Sequence, residues 1–123
     1  MEKVDRLGWA AGFSLKAYGV RIGIRSNEQA GLDRVWPHLP HQHEIVDLPV
    51  VDRLYSIIIG GAGPRANVRR FNLLYADHVR IARSVDVAEV FERLESDLRL
   101  FVAEVARHRV SNADRNAADW RSR

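Results

Sequence analysis

From Val87 onward, apolar side chains recur at steps of three and four: Val87, Val90, Phe91, Leu94, Leu98, Phe101, Val102 and Val105. At about 100° per residue this spacing lays them on one stripe, which predicts a long amphipathic helix from Asp86 to about Arg109. Asp86, with Glu89 three residues on, reads as a capping box for the first free N–H groups. The opposite face carries Glu89–Arg93, Glu95–Arg99 and Glu104–His108, each acid on the N-terminal side as the helix dipole prefers. Leu100 falls off the stripe; a lone exposed leucine is ordinary, and it also suits a place where a neighbouring domain sits.

Such a stripe needs an apolar surface to cover, and the pattern upstream supplies one. Residues 1–11 form a lead-in in which Leu7 and Trp9 can tuck against the domain. From Phe13 the chain alternates (Phe13, Leu15, Ala17, then Val20, Ile22, Ile24), which predicts two strands joined at Tyr18-Gly19, Gly19 supplying a positive φ. One apolar face implies a sheet covered on one side and wet on the other.

Ser26 and Gln29 read as a second capping box, opening a short helix in which Leu32, Val35, Trp36 and Leu39 share a face. Pro37 and Pro40 end it, and residues 38–49 read as a loop with room for a short extended piece. Leu54 to Ile59 is a β-branched run suited to an inner strand, closed by Gly60-Gly61-Ala62-Gly63-Pro64. Val68 to Tyr75 alternates again, with Phe71, Leu73 and Tyr75 on one side. A turn at Ala76-Asp77 leads to a strand over His78 to Arg83, Val79 and Ile81 inward. Residues 111–123 lose every aliphatic side chain but alanine, with Trp120 the one large apolar group, and read as a frayed or disordered tail. The order β-β-α-β-β-β-α predicts an α+β fold, a mainly antiparallel sheet covered by one long and one short helix, as a single domain over 1–110.

Composition narrows the function more by exclusion than by assignment. The 123 residues suit one domain with its own core, and the absence of cysteine rules out disulfides, cysteine–zinc sites and thiol catalysis. Met1 to Arg6 lacks the apolar core of a signal peptide and no apolar run approaches a membrane span, so a cytosolic protein with no membrane contact is the expectation. The net charge of +3 is carried almost wholly by arginine, with lysine only at Lys3 and Lys16; it permits an anionic partner without arguing for one.

Three clusters carry candidate chemistry. Gly61-Ala62-Gly63-Pro64-Arg65-Ala66 fits the glycine pattern of a dinucleotide loop after a hydrophobic strand, with Asp86 at the distance of the ribose-binding acid. The strand-like alternation that follows favours a glycine-rich turn between antiparallel strands instead, and no Walker A lysine is present. His38, His41 and His43, with Glu44 adjacent, are ligand types for zinc, but Pro40 restricts their convergence, the spacing matches no zinc signature, and a solvated loop is the reading favoured. Arg65, Arg69, Arg70, Arg80 and Arg83, beside Tyr75, are suited to a basic sheet face for nucleic acid or another polyanion, or simply to keeping an exposed sheet soluble. No catalytic, cofactor-binding or metal residue is assigned.

Four stretches together resemble the N-terminal region of bacterial HPr-kinase-related proteins, relatives of HPr serine kinase/phosphorylase. They are the run from Phe13 to Arg25, the Leu39-Pro40 exit, the hairpin from Phe71 to Asp77 and the helix end from Phe101 to Val110. The resemblance spans roughly residues 10–110 and implies that the long helix leads toward a strand and a P-loop, where ATP and magnesium bind. None of that machinery has a position among these residues. The resemblance therefore implies a non-catalytic accessory domain, truncated or separated from its serine-kinase domain. Its partner would be that kinase domain or its protein substrate, and it would need no cofactor of its own.

Overall fold

The upstream alternation folds into strands and the three–four spacing into a helix, in a computed structural model that describes residues 2–3, 11–47, 50–60 and 71–121. Along the chain run β1 (Glu2–Lys3), β2 (Ala11–Ala17), β3 (Val20–Ser26), α1 (Gln29–Asp33) and a single 3₁₀ turn at Trp36–His38. Then follow β4 (Glu44–Val46), β5 (Val50–Val51), β6 (Arg53–Ile58), β7 (Asn72–Ala76), β8 (Val79–Ser84) and α2 (Val87–Arg121). Six strands make one sheet in the order β4-β2-β3-β6-β7-β8, while β1 and β5 pair separately. Only the β3–β6 contact in the six-stranded sheet is parallel. The fold is α+β with a mainly antiparallel sheet, as the pattern predicts.

One face of the sheet meets the helices. Leu15, Ala17, Val20, Ile22, Ile24, Tyr55, Ile57, Leu74 and Ala76 form its core side. Val90, Phe91, Leu94, Leu98 and Val102 of α2 close over them, joined by Leu32, Val35 and Leu39. Fully burying a side chain of this size contributes roughly 1.5–3 kcal/mol, so the α2 stripe outweighs its surface ion pairs several times over. Leu100 points outward at 67% exposure, as its position off the stripe requires.

The hairpin turn places both Tyr18 (φ 53°) and Gly19 (φ 78°) in the left-handed region, the pairing that matches the twist of two-residue β-hairpins. The opposite sheet face is not uniformly wet: Ser14, Leu54 and Ser56 are 5%, 3% and 3% exposed. Arg25 reaches across β6 there, its Nε donating to Ser56 Oγ at 2.9 Å, so a long polar side chain lies along a face that simple alternation assigns to water.

Other expectations are corrected locally. Ser26 does not cap α1; it ends β3, and its Oγ accepts the Glu28 N–H at 3.2 Å, while Gln29 donates to Asp33 instead of closing a box. Trp36 leaves the apolar face and stacks on Phe13 at 4.8 Å, 46% exposed. In β8, the register steps from Tyr75–Arg80 to Leu74–Ala82, so Ile81 is the extra residue of a bulge. Ile81 and Ala82 then both pack on the core, while Val79, beside the turn, is 64% exposed rather than inward.

At its N-terminus α2 is capped by Asp86, but not through the expected box. Asp86 Oδ1 accepts the Ala88 N–H at 3.0 Å, while Glu89 reaches Asp86 through Ser84. The Ser84 hydroxyl donates to Glu89 at 2.6 Å and accepts the Asp86 N–H at 3.0 Å. At the other end α2 continues through residues 111–121, assigned by the sequence pattern to a frayed tail. Extending a formed helix is cheap compared with nucleating one, and Ala113, Ala117 and Ala118 are strong helix formers, so the loss of aliphatic residues does not stop it.

Gly31 shows how closely α1 sits on the sheet. A Cβ there would lie 2.7 Å from Ile59 Cγ1 and 3.0 Å from Ser26 Oγ. Gly31→Ala gains helix propensity of about 1 kcal/mol, and the overlap costs roughly 1–3 kcal/mol. A net loss of about 1 kcal/mol in urea denaturation is the expected outcome; an unchanged midpoint would show that Ile59 yields freely.

Candidate functional site

The Gly61–Ala66 motif lies outside the described residues, but both its flanks are fixed. Ile58 faces Leu73 across the antiparallel β6–β7 pair. A dinucleotide loop leads from a strand through a helix to a parallel strand. The partner here is the antiparallel neighbour, as a turn requires. Buried Asn72 fixes the loop's start, accepting the Gly60 N–H at 2.9 Å and donating to the carbonyls of Ser84 and Val85. Asp86, at the distance of a ribose ligand, is the α2 cap.

The three histidines do not converge on one point. His38 stacks on Phe91 with centroids 5.7 Å apart, and its Nδ1 lies 3.4 Å from Glu95 Oε2. His43 Nδ1 bonds the Pro40 carbonyl at 2.6 Å, and exposed Glu44 belongs to β4, paired with Lys16. Among the described residues no three histidines or acids are grouped to hold a metal ion. His38 and His41 both border one cleft, while His43 turns back onto the Pro40 carbonyl.

Of the arginines, Arg65, Arg69 and Arg70 lie outside the described residues. Arg80 and Arg83 are exposed on β8, at the edge of the sheet, opposite Tyr75 and Leu73 respectively. The Arg83 guanidinium sits 3.9 Å from the Phe71 ring centroid. Phe71, Leu73 and Tyr75 share the face turned away from α2, so a small basic and aromatic surface does form there.

Two features have no counterpart in the motif reading. The first is a cleft of about 440 Å³ between α2, the Tyr18 turn and the Leu39–His41 segment. Leu39, Leu98 and Val102 form its apolar floor, and His38, His41, Glu95 and Arg99 stand around it. Its volume falls in the range of ligand sites, roughly 300–1,000 Å³.

The second is a polar clamp inside the helix–sheet interface. The fully buried Tyr55 hydroxyl donates to Asp97 Oδ2 at 2.5 Å, and Arg53 donates to the same oxygen at 3.1 Å. The Arg53 guanidinium lies 3.9 Å from the Phe101 centroid, and its Nε is 3.8 Å from Asp77 Oδ2. Asp77, at φ 55° in the β7–β8 turn, also accepts the Leu54 N–H at 2.9 Å. The signal for this clamp is present in the chain: Asp97 lies three residues after Leu94 and four before Phe101, within the stripe, where a carboxylate needs a partner. A tyrosine on an inner strand needs one too, and the fold brings the two together. This arrangement binds helix to sheet.

Compared with protein-family models, curated proteins and solved structures, the chain matches none. Among the described residues, no helix is long and apolar enough to cross a membrane.

Burial, and then the adjacent Asp97 carboxylate, push the Tyr55 phenol well above its ordinary value of 10.0. A phenol whose folded pKa is raised contributes stability fully present below pH 10 and lost as pH climbs through and beyond that value. Tyr55→Phe is expected to cost about 1–2 kcal/mol at neutral pH and to flatten the alkaline fall in stability. Urea denaturation across an alkaline pH series measures both, and an equally steep fall in the variant would remove Tyr55 as its source.

Proposed function

We propose that the chain is a non-catalytic interaction domain, the accessory domain of an HPr-kinase-like serine kinase, working in the cytosol. Its partner is then a protein: the kinase domain, joined to it or encoded apart from it, or that kinase's protein substrate. One observation carries this reading. Among the described residues the core contacts of α2 run to Val105, and the helix itself runs to Arg121. At 1.5 Å per residue the helix after Val105 adds on the order of 20 Å, a length suited to meeting another polypeptide. The assignment to HPr-kinase-like proteins rests on the resemblance of residues 10–110. The side chains most suggestive of chemistry already have structural tasks: Asp86 caps α2, Asp97 receives Tyr55 and Arg53, and His38 packs on Phe91.

A second reading has its own observation. Arg80, Arg83, Phe71 and Tyr75 on the sheet face away from α2 are suited to a polyanion, phosphates on the guanidinium groups and bases on the rings.

The leading reading predicts that the coding sequence adjoining this chain specifies a strand followed by Gly-x4-Gly-Lys-Ser/Thr, and that the encoded domain co-purifies with this one on co-expression. An unrelated neighbour, or two proteins that separate on gel filtration, would overturn it. The polyanion reading instead predicts salt-sensitive retention on heparin that weakens when Arg80 and Arg83 are changed to alanine; retention indifferent to both changes removes it.

A further inference from the structure

The cleft beside α2 has the makings of a ligand site independent of the accessory-domain reading. Glu95, Leu98, Arg99, Val102, Ala103 and Ala106 follow each other at helical spacing along one wall. Leu98 and Val102 are buried at its base, whereas Ala103 and Ala106 are too short to reach the Tyr18 turn opposite. That shortfall gives the volume of about 440 Å³ between them. Tyr18 stands at the mouth because the left-handed turn fixes its backbone at φ 53°.

The polar groups are unbalanced in one direction. Among the described residues Glu95 is the one acid lining the cleft, and it is already engaged twice, by His38 Nδ1 and by Arg99, each at 3.4 Å. The bond to Glu95 engages one nitrogen of the Arg99 guanidinium, whose side chain is 75% exposed. A guanidinium presents five N–H donors in a planar fork matched to a carboxylate, so Arg99 keeps donors for a second acid without giving up Glu95. His41 adds another nitrogen to the rim. An apolar floor with donors in excess at its rim complements a molecule that is oily at one end and anionic at the other.

We propose that this cleft binds a small amphiphilic carboxylate, its apolar tail on Leu39, Leu98 and Val102 and its acid group on the outer edge of Arg99. A neutral molecule of the same shape makes the floor contacts and lacks the ion pair. An exposed ion pair is worth up to about a fivefold difference in affinity.

Octanoate and octan-1-ol, titrated separately into the whole chain and followed through its backbone amide NMR shifts, test the proposal. Octanoate is expected to move the amides of Tyr18, Leu39, Leu98 and Val102, and to bind up to about fivefold more tightly than octanol. Arg99→Gln is expected to bring octanoate down to the octanol affinity. Ala103→Trp, at an exposed position that leaves the core intact, is expected to fill the cleft and abolish the shifts while the spectrum stays that of a folded protein. The proposal is overturned by equal affinity for the two molecules, by no binding, by shifts centred elsewhere, or by undiminished binding in Ala103→Trp.

Discussion

The contact between the α2 stripe and the core face of the sheet is the constraint that the other features follow from. Val90, Phe91, Leu94, Leu98 and Val102 are all nearly inaccessible, and together they contribute on the order of 10 kcal/mol of gross apolar burial. Nothing on the polar face of α2 approaches that: an exposed pair such as Glu95–Arg99, at 3.4 Å, contributes a few tenths of a kcal/mol. Burial without direction does not set register, however. The clamp of Asp97 with Tyr55 and Arg53 supplies direction, because a carboxylate placed within an apolar stripe is tolerated only where its donors lie.

Other features are consequences of seating α2 this way. Ser84 and Asp86 must bring the chain from the last strand directly into the helix, and the Ser84-relayed cap satisfies the N–H groups that this tight entry would strand. The bulge at Ile81 bends β8 so that Ile81 and Ala82 both reach the helix side. Further along, the short side chains of Ala103 and Ala106 on α2, near the Tyr18 turn, leave the cleft open. The helix seating that stabilises the domain therefore also makes the features that a partner or ligand would meet.

The periodic elements were legible in the chain. The α2 stripe, the Tyr18-Gly19 hairpin, the inner strand around Tyr55 and the outward Leu100 each follow from spacing alone, because each is a local pattern facing one environment. What was not legible depends on pairing at a distance. The short strands β1 and β5 exist only as partners of each other, and two residues carry no period of their own, whereas β4 is the short extended piece allowed within residues 38–49. Ser26 with Gln29 has the letters of a capping box, yet β3 claims Ser26 for the sheet. Val79 pairs with core-face Ala76, as alternation requires, yet stays exposed beside the turn of the edge strand, which no local pattern shows. The site residues divide the same way: His38 and His43 are near neighbours in the chain with separate partners, Glu95 and the Pro40 carbonyl, while Tyr55 and Asp97 are distant in the chain and bonded.

Native-state hydrogen exchange tests the seating of α2 most directly. If the stripe and the clamp make helix and sheet one cooperative unit, the amides of Val90 to Val102 exchange only through global opening. Their opening free energy then equals that of β3 and β6. Amides of α2 that exchange through a separate, lower-energy opening, while β3 and β6 stay protected, would contradict this account.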